Sequence, residues 1–443
     1  MLGRASILAA VALALASSAT ALADDFPARA YGNPDRPGSL GNLLQPPATD
    51  DNTPRTAPPA AARSASPQQE ILVARQRGDG ADLVALGRQI GAELSATYDL
   101  PSVAFDVAVY RLRTGDTAEA ALQRLPRDPA ILAADRNQSF DTAAAAEVGP
   151  APATLRARAL QYALGLIHAI APEPRVTGRG VRIAVIDSGI DPRHASLDGK
   201  VLLAVDLVGE APDTNPALRA REVMHGTGIA GVIAAEGGLQ GVAPDARLIS
   251  IKAFSVRSVQ DGETHSSSDR IVRAIDVALR LHARVINMSF GGPPDKLIEL
   301  MVREALAQGA VVVAAAGNSG PDSAFYPAAY PGVIAVTASD RRDELYPDAA
   351  SGAFVTVAAP GVDIITTAPN GGYQVLTGTS IAAAHVSGLA ALLIQANPNV
   401  SPDEVKRLIA GTGQPLGPTS QADHPMLRLI DVAAALEKLT PAR

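Results

Sequence analysis

Gly378-Thr379-Ser380-Ile381-Ala382-Ala383-Ala384-His385-Val386, continuing through Ser387-Gly388-Leu389-Ala390-Ala391-Leu392-Leu393, decides how this chain is read. A small Gly-Thr-Ser turn leads into about four turns of Ala, Leu and Val with almost no charge. A helix that is apolar on every face belongs in the middle of a large domain. The Ser380 hydroxyl at its start has two readings. It can cap the helix, because Ser and Thr bond the free amides of a first turn. It can also be a nucleophile, held where the positive end of the helix stabilises an oxyanion.

The surrounding pattern says what the helix is buried in. Continuous apolar runs recur at Val181–Ile186, Leu248–Ala253, Val285–Met288, Val311–Ala316, Val333–Thr337 and Val355–Ala358, with helical segments between several of them. Fully apolar strands alternating with helices predict an α/β domain of three layers, a mostly parallel sheet between helices. In such sheets the working groups gather beyond the carboxyl ends of the strands. Asp187 ends the first run, Ser289 follows the third, and Gly317-Asn318 ends the fourth. A carboxylate at the end of an apolar strand needs a partner, which a histidine N–H supplies. His225 opens His225-Gly226-Thr227-Gly228-Ile229-Ala230-Gly231, whose glycines predict a helix face bare enough to pack closely against the sheet and the helix of Ser380. Asn318 carries an amide donor able to reach an oxyanion together with the Ser380 N–H. Taken singly, each residue also has a bland reading: a turn Asp, a structural His, a turn Asn.

Bulk composition narrows the function. The chain has 443 residues, 47% of them apolar but only 3% aromatic, so small side chains must carry the packing. Its net charge of −7 and lack of a Lys/Arg cluster exclude nucleic acid and an anionic membrane as main partners. There are no cysteines, hence no disulfides and no thiolate metal sites. No His-Glu-x-x-His occurs. Residues 1–23 read as a signal peptide: Arg4, an apolar core from Ala5 to Ala16, and Ala21-Leu22-Ala23 before two aspartates. Export by the Sec route to the periplasm or the medium is expected, with no stable membrane anchor.

Residues 24–68 are rich in Pro, Ala and Asp and read as a disordered linker. Order is expected from residue 69. A strand at Glu70–Ala74, helical spacing over Ala81–Ile90, strands at Ala92–Tyr98 and Ala104–Leu112, a helix over Thr117–Leu125 and a strand over Ile131–Phe140 give the order β-α-β-β-α-β. That is a small ferredoxin-like α+β domain spanning 69–141. Residues 142–154 read as a linker and processing zone, and the large domain as 155–443.

Asp187, His225 and Ser380 arrive in the order Asp-His-Ser, which differs from the triad orders of chymotrypsin and the α/β-hydrolases. The segments Val185-Ile186-Asp187-Ser188-Gly189, His225-Gly226-Thr227, Val285-Ile286-Asn287-Met288-Ser289, Ala316-Gly317-Asn318 and Gly378-Thr379-Ser380-Ile381-Ala382 resemble the motifs of the subtilisin-like serine proteases, in that family's order. Gly241-Val242-Ala243-Pro244 and Ala359-Pro360-Gly361 extend the resemblance across residues 155–440. It implies that Ser380 is the nucleophile, His225 the general base and acid, Asp187 its orienting carboxylate and Asn318 an oxyanion donor. It implies further that Ser289-Phe290-Gly291 pairs with extended substrate and that Ala315, Ala316 and Gly317 wall the pocket for the residue before the cut bond. The small domain then resembles a propeptide, an intramolecular inhibitor whose tail occupies the active site until cleaved. The expected partners are protein or peptide substrates and this propeptide, around a monomer without cofactor. The rival readings are a catalytically silent peptide-binding scaffold and an esterase.

The chain departs from the family pattern in places. Ile381 stands where Met is frequent, and Ala384 where Pro is usual. Glu236-Gly237-Gly238-Leu239-Gln240 is short and poor in oxygen ligands where relatives carry a calcium loop, so no calcium is expected there and other positions stay open. Phe325 falls where the resemblance puts the floor of the family's specificity pocket, which implies small residues before the cut and suits the Ala-rich stretch 143–146. His385, His194 and His282 read as structural.

Overall fold

The computed structural model describes residues 69–142, 146–150, 160–170, 176–209, 220–256, 264–320, 323–424 and 426–439. The signal-peptide reading over 1–23, the linker over 24–68 and residues 143–145 lie outside them. The described residues fall within one compact unit spanning 65–443.

The first elements are β1 (Glu70–Gln76), α1 (Leu83–Ile90), β2 (Ala92–Asp99), β3 (Phe105–Leu112), α2 (Ala118–Gln123) and β4 (Ile131–Arg136). They form an antiparallel sheet in the order β2-β3-β1-β4. Asp82 starts α1 by accepting from the Ala85 N–H, and Gly91, at φ 78°, ends it. Ile71 to Ala74 are buried on both sheet faces, which is why β1 reads as an unbroken apolar run. Ile71, Val73, Ala108 and Tyr110 pack on one face with Leu86 and Ile90 of α1. Leu72, Ala74, Val107 and Val109 face the other way, into a core shared with Ile271, Ile275, Leu297 and Met301.

One expected element divides. The strand over Ile131–Phe140 breaks after Arg136, and Ser139–Thr142 becomes a separate strand, β5, in a different sheet. The cause is tertiary. The buried Asn137 side chain donates to Glu70 Oε2 and Asp269 Oδ1, both at 3.1 Å, and Gln138 N–H donates to Ser268 Oγ at 2.9 Å. These partners pull the chain off the small sheet. Within the stretch read as a linker, β6 (Ala146–Pro150) pairs antiparallel with β18 (Gly372–Thr377), itself the hairpin partner of β17 (Ile364–Ala368).

The large sheet contains β7 (Arg182–Asp187), β8 (Val201–Asp206), β9 (Arg247–Lys252), β12 (Val285–Met288), β14 (Val311–Ala315), β15 (Ile334–Ser339), β16 (Val357–Pro360), β19 (Gln414–Pro415) and β20 (Arg428–Leu429). Its order is β19-β20-β16-β15-β14-β12-β7-β9-β8, with every pair parallel except β19 with β20. Four helices of eleven residues or more matter to the site or its surroundings: α3 (Met224–Ala234), α4 (Ser268–Arg280), α5 (Lys296–Ala307) and α6 (Thr379–Ala396). Alternate residues of the central strands supply two separate cores. Val185, Val285 and Val313 face α3 and α6, whereas Ile186, Ile286 and Val312 face α4 and α5. This is the three-layer subtilisin-like arrangement expected from the apolar runs.

Helix α6 is buried from Thr379 through Ile394. Among the described residues it alone is long and apolar enough to cross a membrane, and its burial inside the protein explains that composition. His385 lies within it, and its Nδ1 hydrogen-bonds the Ile381 carbonyl at 3.0 Å. Burial pushes this imidazole down to about 4. The unfolded chain takes up the proton near the ordinary histidine value, so the stabilising contribution is intact above about pH 6.5 and is lost as pH falls towards 4. Asp295 has the opposite sign. Burial raises it to about 6, so its contribution is present at low pH and is lost as pH rises through that value. In a Ser380→Ala background, His385→Asn should reduce the loss of unfolding free energy between pH 7 and pH 5 by about 2 kcal/mol. Denaturant titrations at the two pH values check this; identical losses with and without His385 would refute a neutral buried imidazole.

Candidate active site

Asp187 ends β7 and is fully buried. Its Oδ1 accepts from the Ser188 N–H at 2.6 Å, and both carboxylate oxygens lie 2.9 Å from His225 Nδ1. Nδ1 therefore carries the proton, because only a donor satisfies a carboxylate there. Close helix packing makes this approach feasible. A Cβ on Gly226 would stand 2.1 Å from the Gly189 carbonyl oxygen, so only glycine lets the start of α3 approach the end of β7 so closely. The bare face of α3 meets the end of β7 through Gly226, as its sequence suggested, and has a further partner as well. Gly228 and Gly231 receive Leu376, Thr366 and Thr367 of the β17–β18 hairpin. Helices α3 and α6 also pack against each other.

Ser380 occupies the second residue of α6 and is fully buried. Gly378 precedes the helix at φ 152° and ψ 169°, a conformation left to glycine. Thr379 ties the turn to the strand ends. Its N–H donates to Asn318 Oδ1 at 3.0 Å, and its Oγ1 accepts from the Gly317 N–H at 3.1 Å. With Oδ1 so engaged, the Asn318 NH2 is the other end of that carboxamide. Ser380 Oγ is not a helix cap. Ser380 Oγ and His225 Nε2 are both buried, and neither has a hydrogen-bond partner among the described residues.

The sequence reading missed a polar chain behind the helix. Ser387 Oγ donates to Asn287 Oδ1 at 2.8 Å, Asn287 Nδ2 donates to Ser289 Oγ at 2.9 Å, and Ser289 Oγ donates to the Ser380 carbonyl at 2.9 Å. All four residues are buried. The available signal was Asn287 itself, an amide inside an otherwise apolar strand.

Ser289 is followed by β13 (Phe290–Gly291), which pairs antiparallel with β5 through Phe290↔Thr142 and Gly291↔Asp141. On its other side β5 pairs with β11 (Thr264–Ser267), next to β10 (Ser255–Val256). The tail of the small unit is thus an added strand between two short edges. Phe140 is fully buried there, edge-on to Phe290 with ring centroids 6.5 Å apart, and Phe290 in turn lies 4.8 Å from Phe254. Ala315 and Ala316 are buried at the end of β14. The half-buried Phe325 ring covers Gly291 and Gly317, since a Cβ on either would meet ring carbons at 2.0 and 2.9 Å. Phe325 therefore joins the two segments that the sequence reading assigned to substrate.

The calcium-loop position does not fit a calcium ion. Glu236 there is paired with the largely buried Lys200 ammonium at 2.5 Å, and that ammonium is the positive charge at this place. Among the described residues no group of three or more His, Asp or Glu side chains is placed to hold a metal.

Comparison with known proteins places this geometry in context. A model described as the subtilase family matches residues 178–425. A thermophilic serine proteinase of Bacillus sp. (strain AK1) is 39% identical over 246 residues, covering 54% of this chain and 58% of the proteinase. Subtilisin BL of Lederbergia lenta is 35% identical over 269 residues, covering 60% of this chain and 95% of that enzyme. The crystal structure of fervidolysin from Fervidobacterium pennivorans, described as a keratinolytic enzyme related to subtilisin, aligns with a TM-score of 0.68 at 25% identity. That alignment covers 83% of this chain and 61% of fervidolysin, so the match spans less than two thirds of both fervidolysin and the Bacillus proteinase.

Removing the Asn287 side chain strands the hydroxyls of Ser289 and Ser387 in the core. Asn287→Ala should lower unfolding free energy by about 2–4 kcal/mol, and Ser387→Ala by about 1–2 kcal/mol. Equilibrium unfolding of both variants measures this; equal and negligible losses would show that the chain does not hold the helix.

Proposed function

The chain belongs to the subtilase family of serine proteases, and on that premise we propose that it is an exported endopeptidase made as a self-processing zymogen. The observation that carries this is that Ser380 Oγ and His225 Nε2 are both buried without a partner among the described residues, the latter on an imidazole already held by Asp187. Burying two polar atoms without partners is costly, and a nucleophile and base awaiting substrate give a reason for it.

In this reading Ser380 Oγ attacks the carbonyl carbon of the peptide bond while His225 Nε2 takes its proton. The Asp187 carboxylate holds the imidazole tautomer and stabilises the imidazolium. The oxyanion receives hydrogen bonds from the Asn318 NH2 and the Ser380 N–H in the first turn of α6. Removing such a donor costs about 10²–10³ in rate, as measured in subtilisin itself. His225 then returns the proton to the leaving amine, and water hydrolyses the acyl-enzyme by the same route. Ser289, Phe290 and Gly291 hold the substrate as an added strand, and Ala315, Ala316, Gly317 and Phe325 wall the pocket before the cut bond.

The small α+β unit acts as propeptide and inhibitor. Support comes from β5, which occupies the strand position of a substrate, and from side chains that fasten the unit to α4. Tyr98 OH donates to Asp269 Oδ2 at 3.0 Å, and Ser102 donates through N–H and Oγ to Asp276 Oδ1 at 2.9 and 2.6 Å. The mature enzyme works on proteins or peptides in the periplasm or the medium, as a monomer, with no cofactor in the reaction.

Full-length chain should lose its N-terminal segment, hydrolyse casein and be labelled at Ser380 by a sulfonyl fluoride. Ser380→Ala should remain uncut and inactive. Unaided processing by Ser380→Ala, or folded and processed parent protein that is neither labelled nor active, would count against the reading. With p-nitroanilide peptides, Ala before the cut should exceed Phe and Tyr in kcat/KM by about tenfold, the scale on which a filled pocket discriminates size. A preference for Phe or Tyr would remove Phe325 from the pocket.

A further inference from the structure

Strand β5 is matched to the cleft by its side chains as well as by its backbone. Asp141 and His265 are directly opposite in the β5–β11 register, and His265 Nδ1 hydrogen-bonds Asp141 Oδ1. With β5 in place the imidazole side chain is 17% exposed and the carboxylate 56%. Ser255 of β10 backs His265 from the other side. Opposite Asp141 on the β13 side stands Gly291, which has no side chain to compete for that space. Residues alternate along a strand, so Phe140 and Thr142 point to the other face. There Phe140 meets Phe290, and the Thr142 and Thr264 hydroxyls lie 2.8 Å apart.

The β5–β13 register fixes where this sits relative to the chemistry. Gly291 faces Asp141 and Phe290 faces Thr142, and Ser289, the next residue on the cleft side, bonds the Ser380 carbonyl through its hydroxyl. With Ser380 as the proposed nucleophile and the residue before the cut bond placed against Ser289, Asp141 stands for the third residue before that bond and Phe140 for the fourth.

We propose that His265 is a specificity-determining residue that selects an acidic side chain at the third position before the cut. The preferred substrates are extended segments with an acidic residue for His265 two positions before a small residue at the bond. This rests on Ser380 being the nucleophile. A histidine N–H donated to a carboxylate is a charge-assisted bond, stronger than one to a neutral acceptor. Polar side-chain pairs directly across two strands are favourable by modest amounts, and partial exposure of the carboxylate keeps the effect in that range.

The test uses processed enzyme and p-nitroanilide tetrapeptides of the form Phe-X-Thr-Ala, with X as Asp, Asn, Ala or Lys. The expected order of kcat/KM puts Asp about fivefold above Ala and about tenfold above Lys. His265→Ala should bring Asp, Ala and Lys to within about twofold of one another, and His265→Glu should reverse the order of Asp and Lys. Should His265→Ala not fold, as judged by sulfonyl fluoride labelling, His265→Gln takes its place with the same expected loss of ordering. Equal rates for all four peptides on the parent enzyme, or an undiminished Asp preference without His265, would overturn the proposal. Casein hydrolysis by the same preparations keeps the two readings apart. Absence of casein cleavage counts against the endopeptidase itself, whereas cleavage without peptide preference counts against His265 alone.

Discussion

The hydrogen bond from Ser289 Oγ to the Ser380 carbonyl joins the end of β12 to the first turn of α6. Helix α6 is enclosed on every side, so its apolar residues hold it in the core but do little to choose its rotation or height. The polar chain Ser387-Asn287-Ser289 settles both, since its donors and acceptors meet in one position of the helix only. Gly378, at φ 152°, lets the chain enter that position from β18, and Thr379 clamps it to Gly317 and Asn318. Ser380 is thus placed by a network that does not use its own hydroxyl.

A second constraint fixes the imidazole. Asp187 is held at the end of a strand buried on both faces, and the absence of a Cβ at Gly226 lets His225 reach it. The parallel sheet makes both constraints local to one edge. Neighbouring strands β7, β12 and β14 all point the same way, so Asp187, Ser289 and Asn318 emerge together beyond their carboxyl ends. Rigid strands and a rigid helix, rather than loops, set the distances between the groups.

The small unit is held by two kinds of contact. Its sheet shares an apolar core with α4 and α5, while Asn137, Tyr98 and Ser102 bond buried carboxylates of α4. The carboxylate of Asp276 is raised by burial, although Ser102 partly offsets this. Beyond Gln138 the tail trades one sheet for another. Its backbone pairing is taken over by β11 and β13, and Phe140 supplies the apolar anchor.

Much of this was legible from residues alone. Apolar runs separated by helical segments gave the parallel α/β sheet, because strands buried on both faces cannot alternate with polar residues. An uncharged helix gave its own burial. Asp187, His225, Asn318 and Ser380 could be singled out because each interrupts an apolar or glycine-rich pattern at an element's end. Asn287 broke a pattern too, yet its role depends on Ser387 and Ser289, whose approach no local spacing encodes. The break after Arg136, the strand at Ala146–Pro150, the hairpin that fills the bare face of α3 and the pairing of His265 with Asp141 were likewise beyond local reading. The sequence by itself determined which segments are buried and which groups stand at strand ends, because burial and periodicity are properties of neighbouring residues. Only the tertiary structure decided which of those groups touch, because a hydrogen bond between residues a hundred positions apart is fixed by packing and not by spacing.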